Sequence, residues 1–154
     1  MLNIVLFEPE IPQNTGNIGR TCVLTGSKLH LIKPLGFEIS DKQIRRTGLD
    51  YWKELNLEVH ESWNDFIEKY GNSKIYAVTT KGTTYFDEVT FEDNDFLLFG
   101  RESSGLPDSV RERLKDTLIR IPMIKTLERS LNLSNAVAIV GYKAMEDLSF
   151  PDMK

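Results

Sequence analysis

At 154 residues, with 40% apolar and 27% charged side chains, the chain has the size and composition of one ordinary globular domain with a proper core. A formal net charge of −4 argues against a general, sequence-blind nucleic-acid binder, which needs a basic surface, but leaves room for a local basic patch. The single cysteine, Cys22, excludes an internal disulfide and a cysteine-rich metal site, as expected of a bacterial-type cytoplasmic protein or its equivalent.

The chain opens on an apolar run, Leu2–Phe7, with no basic segment before it. That run is too short for a signal peptide or a membrane span and is expected to be a strand. Leu29–Ile32, a weaker Leu57–Val59, Ile75–Val78, Phe96–Phe99 and Leu118–Ile121 follow as further strands. Most of these runs are continuous rather than alternating, the pattern of strands covered on both faces. Amphipathic helices lie between them. Ile44, Gly48, Tyr51, Trp52 and Leu55 share one helical face, with Lys42, Arg46 and Lys53 on the opposite one. Trp63, Phe66, Ile67 and Tyr70 repeat the pattern after Ser62, an N-cap with Asp65 three residues on. Leu106, Val110 and Leu114 mark another helix, with Pro107 in its first turn. Near the end, Ser130, Asn132, Ser134 and Asn135 interleave with leucines before the apolar helix that starts Ala136-Val137-Ala138-Ile139-Val140-Gly141. One such residue suffices to cap a helix. The surplus predicts a polar pocket wall at a helix N-terminus, where backbone N–H groups favour electron-rich ligands.

Strand–helix alternation predicts a single α/β domain over residues 1–154, with a mainly parallel sheet flanked by helices and joined by right-handed crossovers. Ligands of such sheets bind beyond the carboxyl ends of the strands, so the loops there carry the chemistry. Three stand out: Glu8 to Thr21, Gly100 to Pro107, and the stretch from Pro122-Met123 to Asn135. Glycine permits close backbone approach, Asn, Ser and Glu supply hydrogen bonds, and Arg20 supplies a fixed positive charge. Common signatures are absent. Gly16 and Gly19 do not form a dinucleotide fingerprint, and Lys81-Gly82-Thr83 reverses the order of a phosphate-binding loop. The Gly100-Arg101-Glu102-Ser103-Ser104-Gly105 run is not a nucleophile elbow, and His30 and His60, both in strands, form no Ser-His-Asp set. No metal site is expected.

Together the three segments resemble the SPOUT superfamily of RNA methyltransferases, over essentially the whole chain from Asn3 to Tyr142. Asn14-Thr15-Gly16-Asn17-Ile18-Gly19-Arg20 matches the first family motif, and Phe99-Gly100-Arg101-Glu102 with Gly105-Leu106-Pro107 matches the second. Ile121-Pro122-Met123 with Ser130-Leu131-Asn132-Leu133-Ser134-Asn135-Ala136 matches the third. Within the superfamily the chain looks like the minimal single-domain branch that 2'-O-methylates the wobble nucleotide, position 34, of certain tRNAs.

The resemblance implies a C-terminal trefoil knot that binds S-adenosylmethionine, no metal, and a homodimer whose active sites borrow from both chains. It implies a catalytic set of Arg20, Asn14, Glu102, Ser130 and Asn132, with Asn14 and Glu102 orienting Arg20. A guanidinium gives up its proton only at very high pH, so positioning and charge stabilisation suit Arg20 better than general-base work. The cofactor would lie among Val78, Thr79, Gly100, Ile121, Met123, Ser130, Leu131 and Asn135. Lys42, Arg45 and Arg46, with Arg20, would meet the tRNA anticodon stem-loop. The alternatives are a SPOUT enzyme acting on ribosomal RNA or another tRNA position, and a non-catalytic RNA-binding protein of the same fold. Trp52, Trp63 and Tyr51 are expected as core or dimer contacts, and Cys22 as a small buried apolar residue. Ser104 and the charged loop Lys125 to Arg129 depart from the family pattern and receive no role.

Overall fold

The structure, a computed structural model, describes residues 1–40, 42, 44 and 51–154. Its strands are β1 (Asn3–Phe7), β2 (Lys28–Ile32), β3 (Leu57–His60), β4 (Ile75–Val78), β5 (Thr84–Tyr85), β6 (Phe96–Phe99) and β7 (Leu118–Arg120). They form one sheet in the order β3-β2-β1-β6-β4-β7-β5, and every pairing is parallel. The helices are α1 (Pro12–Thr25), α2 (Trp63–Tyr70), α3 (Asp108–Arg113) and α4 (Leu133–Asp147).

The continuous apolar runs serve two layers at once. Ile4, Leu6, Leu97 and Phe99 face a core shared with Ile18 and Cys22 of α1 and Val137, Val140 and Ala144 of α4. Their neighbours Val5, Phe7, Phe96 and Leu98 face the opposite core, with Phe66 of α2 and Val110 of α3. Period-two alternation therefore points apolar groups to both faces, which is why Ile4–Phe7 and Phe96–Phe99 carry no polar residue. Cys22 is fully buried, and burial pushes its thiol pKa up, as suits an inert packing residue.

Three details differ from the sequence reading. Most of the Glu8–Thr21 segment is helical: α1 begins at Pro12, whose fixed φ suits a first helical position. Its glycines and asparagines make it a poor helix by propensity, and packing against α4 supplies what propensity lacks. Pro107 is the N-cap of α3 rather than part of its first turn. Strand β5 carries no apolar run; two residues, Thr84 and Tyr85, join the sheet only through β7. The Ser62 cap is as expected, its hydroxyl accepting the Asp65 N–H at 3.1 Å. Of the helical face expected there, Arg46 and Gly48 lie outside the described residues; Ile44 is buried, Lys42 exposed, Tyr51 and Trp52 are helical and half-buried, and Leu55 lies beyond the helix end.

At the other end of the sheet two buried histidines stack and bond to each other. Asn3 Oδ1 accepts from His30 Nε2 at 2.9 Å, which leaves His30 Nδ1 to accept from His60 Nε2 at 3.0 Å. Glu58 stands beside them, within 4.8 Å, in a grouping that in outline could hold a metal. Its carboxylate is already engaged by Lys28 at 2.7 Å, Lys69 at 2.6 Å and the Tyr70 hydroxyl at 2.7 Å. Those bonds outweigh burial and hold Glu58 well below the usual carboxylate range. Two ammonium groups on one carboxylate oppose a further cation, so the cluster is structural.

Burial, with the neighbouring His60 and Lys28, pushes His30 down to about 3, and burial also lowers His60. His30 therefore stays neutral in the fold while the unfolded chain takes up protons below pH ~6.5. Stability is expected to fall from pH 7 to pH 5 by roughly 2 kcal/mol, the linkage for one such group over that window. Urea midpoints at the two pH values check this. A midpoint unchanged between them would remove the histidine pair as the cause of acid sensitivity.

Candidate active site

The loops after β1 and β6, which are adjacent strands, leave towards opposite faces, one into α1 and the other into α3. Such a reversal opens a crevice at the strands' carboxyl ends. Three acidic residues tie the crevice shut at its base. Glu8, in the left-handed region at φ 48°, accepts from Arg101 Nε at 3.1 Å and Nη2 at 2.9 Å. Glu10 accepts from the Ser103 N–H and hydroxyl, each at 2.9 Å, and those two bonds lower its pKa. Glu102 reaches the other way, accepting the Glu10 N–H at 2.9 Å and the Ile11 N–H at 2.8 Å. Ile11 caps α1 without a side-chain bond, so Glu102 brings negative charge to the positive end of that helix.

Glu102 can do this because the chain doubles back on itself after β6. Arg101 and Gly105 exchange both backbone hydrogen bonds, at 3.2 and 3.0 Å, with Gly105 at φ +66°. Gly100 packs against that hairpin so closely that an added Cβ would lie 2.5 Å from the Gly105 carbonyl carbon. Only glycine fits there.

Asn132 plays two parts. Its Oδ1 caps α4, accepting from the Ser134 N–H at 2.9 Å and the Asn135 N–H at 3.4 Å. Its Nδ2 donates to Asn14 Oδ1 at 3.0 Å, and Asn14 Nδ2 in turn donates to Glu102 Oε2 at 3.3 Å. A continuous bonded row thus joins the N-terminus of α4, the buried face of α1 and the β6 hairpin.

Above this row lies a cleft of about 710 Å³. Asn14, Glu102, Ser130 and Asn132 line it, as do Val78, Thr79, Gly100, Ile121, Met123 and Leu131. One wall is apolar and the other polar, the usual character of a small-molecule site. Asn135 does not line the cleft; it is the third residue of α4, exposed, its N–H bonded to the cap.

Arg20 is not part of this lining. Six residues along a helix rotate it about 120° from Asn14. It therefore joins Gln13, Asn17 and Leu24 on the exposed stripe of α1, its guanidinium 5.0 Å over the Tyr51 ring. Asn14, expected with Glu102 to orient it, bonds to Glu102 and to Asn132, and Glu102 bonds also to the Glu10 and Ile11 N–H groups. Lys42 is exposed away from the cleft, and Arg45 and Arg46 lie outside the described residues. Trp63 packs on Phe7 and Phe66, a core contact as expected. Missed in the sequence were Arg120, which also lines the cleft, and the staples Glu8 and Glu10. The alternation Glu8-x-Glu10 opposite Arg101-x-Ser103 was the available signal for the staples.

Parallel strands with a half-polar cleft at their carboxyl ends define the class as an α/β domain with a small-molecule site. A structure solved in work on 2-OH methylation of C/U34 on tRNA superposes with TM-score 0.90 at 42% identity, covering 97% of each chain. The fold alone is shared with the SpoU methyltransferase AviRb from Streptomyces viridochromogenes in complex with AdoMet, at TM-score 0.85 and 21% identity over 100% of this chain and 59% of that one. A model of the SpoU rRNA Methylase family matches residues 1–142, and the chain belongs to that family. The tRNA (cytidine(34)-2'-O)-methyltransferase of Saccharophagus degradans is 48% identical over 155 residues, covering 100% of both chains. The enzyme of the same name from Escherichia coli K12 is 48% identical over 152 residues, covering 98% of this chain and 96% of its own. Among the described residues no helix is long and apolar enough to cross a membrane.

Proposed function

We propose that residues 1–154 form a single catalytic domain that methylates the ribose 2'-OH of tRNA nucleotide 34, cytidine or uridine, in the cytoplasm. The methyl donor is S-adenosylmethionine, and the working unit is a homodimer. The observation that carries this reading is the bonded row Asn132–Asn14–Glu102, which brings the three sequence segments to one cleft. Its counterpart is end-to-end 48% identity to relatives named for that reaction.

The cleft fits the donor: about 710 Å³ is ample for a nucleoside with an amino-acid tail. Val78, Ile121, Met123 and Leu131 would take the flat base, and Thr79, Ser130 and open backbone at Gly100 the polar groups. When bound, S-adenosylmethionine supplies an electrophilic methyl group. This chain's residues then have two tasks: hold the sugar hydroxyl in line, and stabilise the negative charge that grows on its oxygen. Glu102 has its oxygens filled by backbone and Asn14 N–H groups, so it positions α1. Asn132 and Asn14 hold the polar wall rigid, and Ser130 is exposed for contact with the ribose.

Arg20 supplies the positive charge. Its place on the outer stripe of α1, beside the exposed Leu24, and the exposed Ile139 and Tyr142 on α4, support a dimer in which it serves the partner's cleft. The C-terminal segment would carry the trefoil knot of the family, consistent with β7 entering between β4 and β5.

Lys42, Arg45 and Arg46 would meet the anticodon stem-loop phosphates. An Arg45→Ala/Arg46→Ala variant is expected to bind tRNA more weakly, with a salt slope shallower by about one to two. An unchanged slope would make the patch a solvated face. Mapping 2'-O-methyl groups in tRNA from cells with and without the gene tests the reaction itself. Loss confined to nucleotide 34 supports it; loss from ribosomal RNA alone would overturn it.

A further inference from the structure

Arg120 ends β7, and its neighbours Ile119 and Ile121 are buried in the core shared with α1 and α4. Strand alternation sends Arg120 to the opposite side, where it lines the cleft with Thr80, Ser104 and Leu106. Its Nε is buried without an acceptor, and among the described residues its guanidinium makes no hydrogen bond or ion pair. A buried donor on a charged group is costly to leave unpaired. The other arginine rooted beside the cleft floor, Arg101, is satisfied by Glu8 and Ser104 and lies over Phe7. Glu102, a carboxylate of the same lining, is committed to α1. Arg129, the remaining arginine of the lining, is exposed to water on the loop before α4, whereas Arg120 is a half-buried cation that, among the described residues, the chain itself does not neutralise.

We propose that Arg120 is an oxyanion-binding residue of this cleft, receiving a ligand's paired oxygens on its guanidinium. This rests on the methyl-transfer reading, which offers two sources: the carboxylate at the amino-acid end of the donor, and an RNA phosphodiester beside the target nucleotide. Tyr85, in register with Arg120 on the edge strand β5, is 44% exposed and puts an aromatic residue on the neighbouring strand. An aromatic beside an arginine is a common pairing at single-stranded RNA sites.

The test titrates wild type, Arg120→Gln and Arg120→Lys with S-adenosylmethionine, with 5'-methylthioadenosine, which lacks the carboxylate, and with tRNA at several salt concentrations. Arg120→Gln is expected to weaken one ligand by roughly tenfold or more, and Arg120→Lys to recover part of it. Weaker S-adenosylmethionine with unchanged 5'-methylthioadenosine assigns the carboxylate. Unchanged adenosine ligands with weaker tRNA, and a salt slope reduced by about 0.7–0.9, assign a phosphate. A wild type that binds donor and tRNA, with an Arg120→Gln variant that binds all three ligands equally well, overturns the proposal alone. A wild type that binds neither overturns the methyl-transfer reading and this proposal with it. Phenylglyoxal labelling of the unmutated protein reads the same assignment without a folding risk. Donor or tRNA should protect Arg120, and equal labelling with and without both would count against it.

Discussion

An Arg20→Ala variant is expected to lose methyl transfer by about 10²–10³-fold, the scale of removing one transition-state charge stabiliser, while binding S-adenosylmethionine within a few-fold of wild type. The split follows from position. Arg20 lies outside the cleft lining, on the exposed stripe of α1, so the donor's pocket survives its removal. The same position makes a sharper test available. Asn132→Ala removes the cap of α4, at about 1 kcal/mol, and the link to Asn14. Mixed in equal amounts and allowed to exchange subunits, the two inactive variants should regain about a quarter of wild-type sites if each cleft takes Arg20 from its partner. Full activity in Arg20→Ala alone would remove this residue from the reaction. Two dead parents that stay dead on mixing, despite proven exchange, would place Arg20 and its cleft in one chain.

Gly100→Ala should be strongly damaging for a change of one methyl group. The new carbon would lie 2.5 Å from the Gly105 carbonyl carbon, 2.6 Å from Leu106 N and 2.7 Å from Gly105 Cα, all of them backbone atoms. A flexible side chain could swing aside; these cannot without opening the Arg101–Gly105 hairpin. Overpacking of this kind costs roughly 3 kcal/mol, a fall in melting temperature of about 6–12 °C for a chain of this size. Because the hairpin aims Glu102 at α1, donor binding should fail together with stability. Gly141→Ala is the control: nothing lies within 4 Å of its added carbon, and alanine favours a helix interior by roughly 0.5–1 kcal/mol. A Gly100→Ala protein that melts and binds like wild type would show that the hairpin yields easily.

The sheet was legible because its strands are buried on both faces, so that runs such as Ile4–Phe7 and Phe96–Phe99 carry no polar interruption. Strand β5 was not, because an edge strand of two residues buries too little to leave a pattern. The cleft was legible as three polar loops, since ligands of parallel sheets gather where strands end. What no spacing reveals is how a polar side chain divides its bonds. Asn14, Glu102 and Arg20 fall within one expected catalytic group, yet helix rotation puts Asn14 inward and Arg20 outward. Arg120 was hidden for a related reason: at the end of an apolar strand, one charged residue reads as the point where burial stops.

Strand β7 lies between β4 and β5 and, among the described residues, is β5's one partner in the sheet. During synthesis, residues 75–85 leave the ribosome well before residue 118, and so for some seconds that side of the sheet has a vacant lane with unpaired backbone on both banks. Threading a late segment between two early ones is a long-range closure, which favours slow maturation and rewards chaperones that keep the gap from pairing with a stranger.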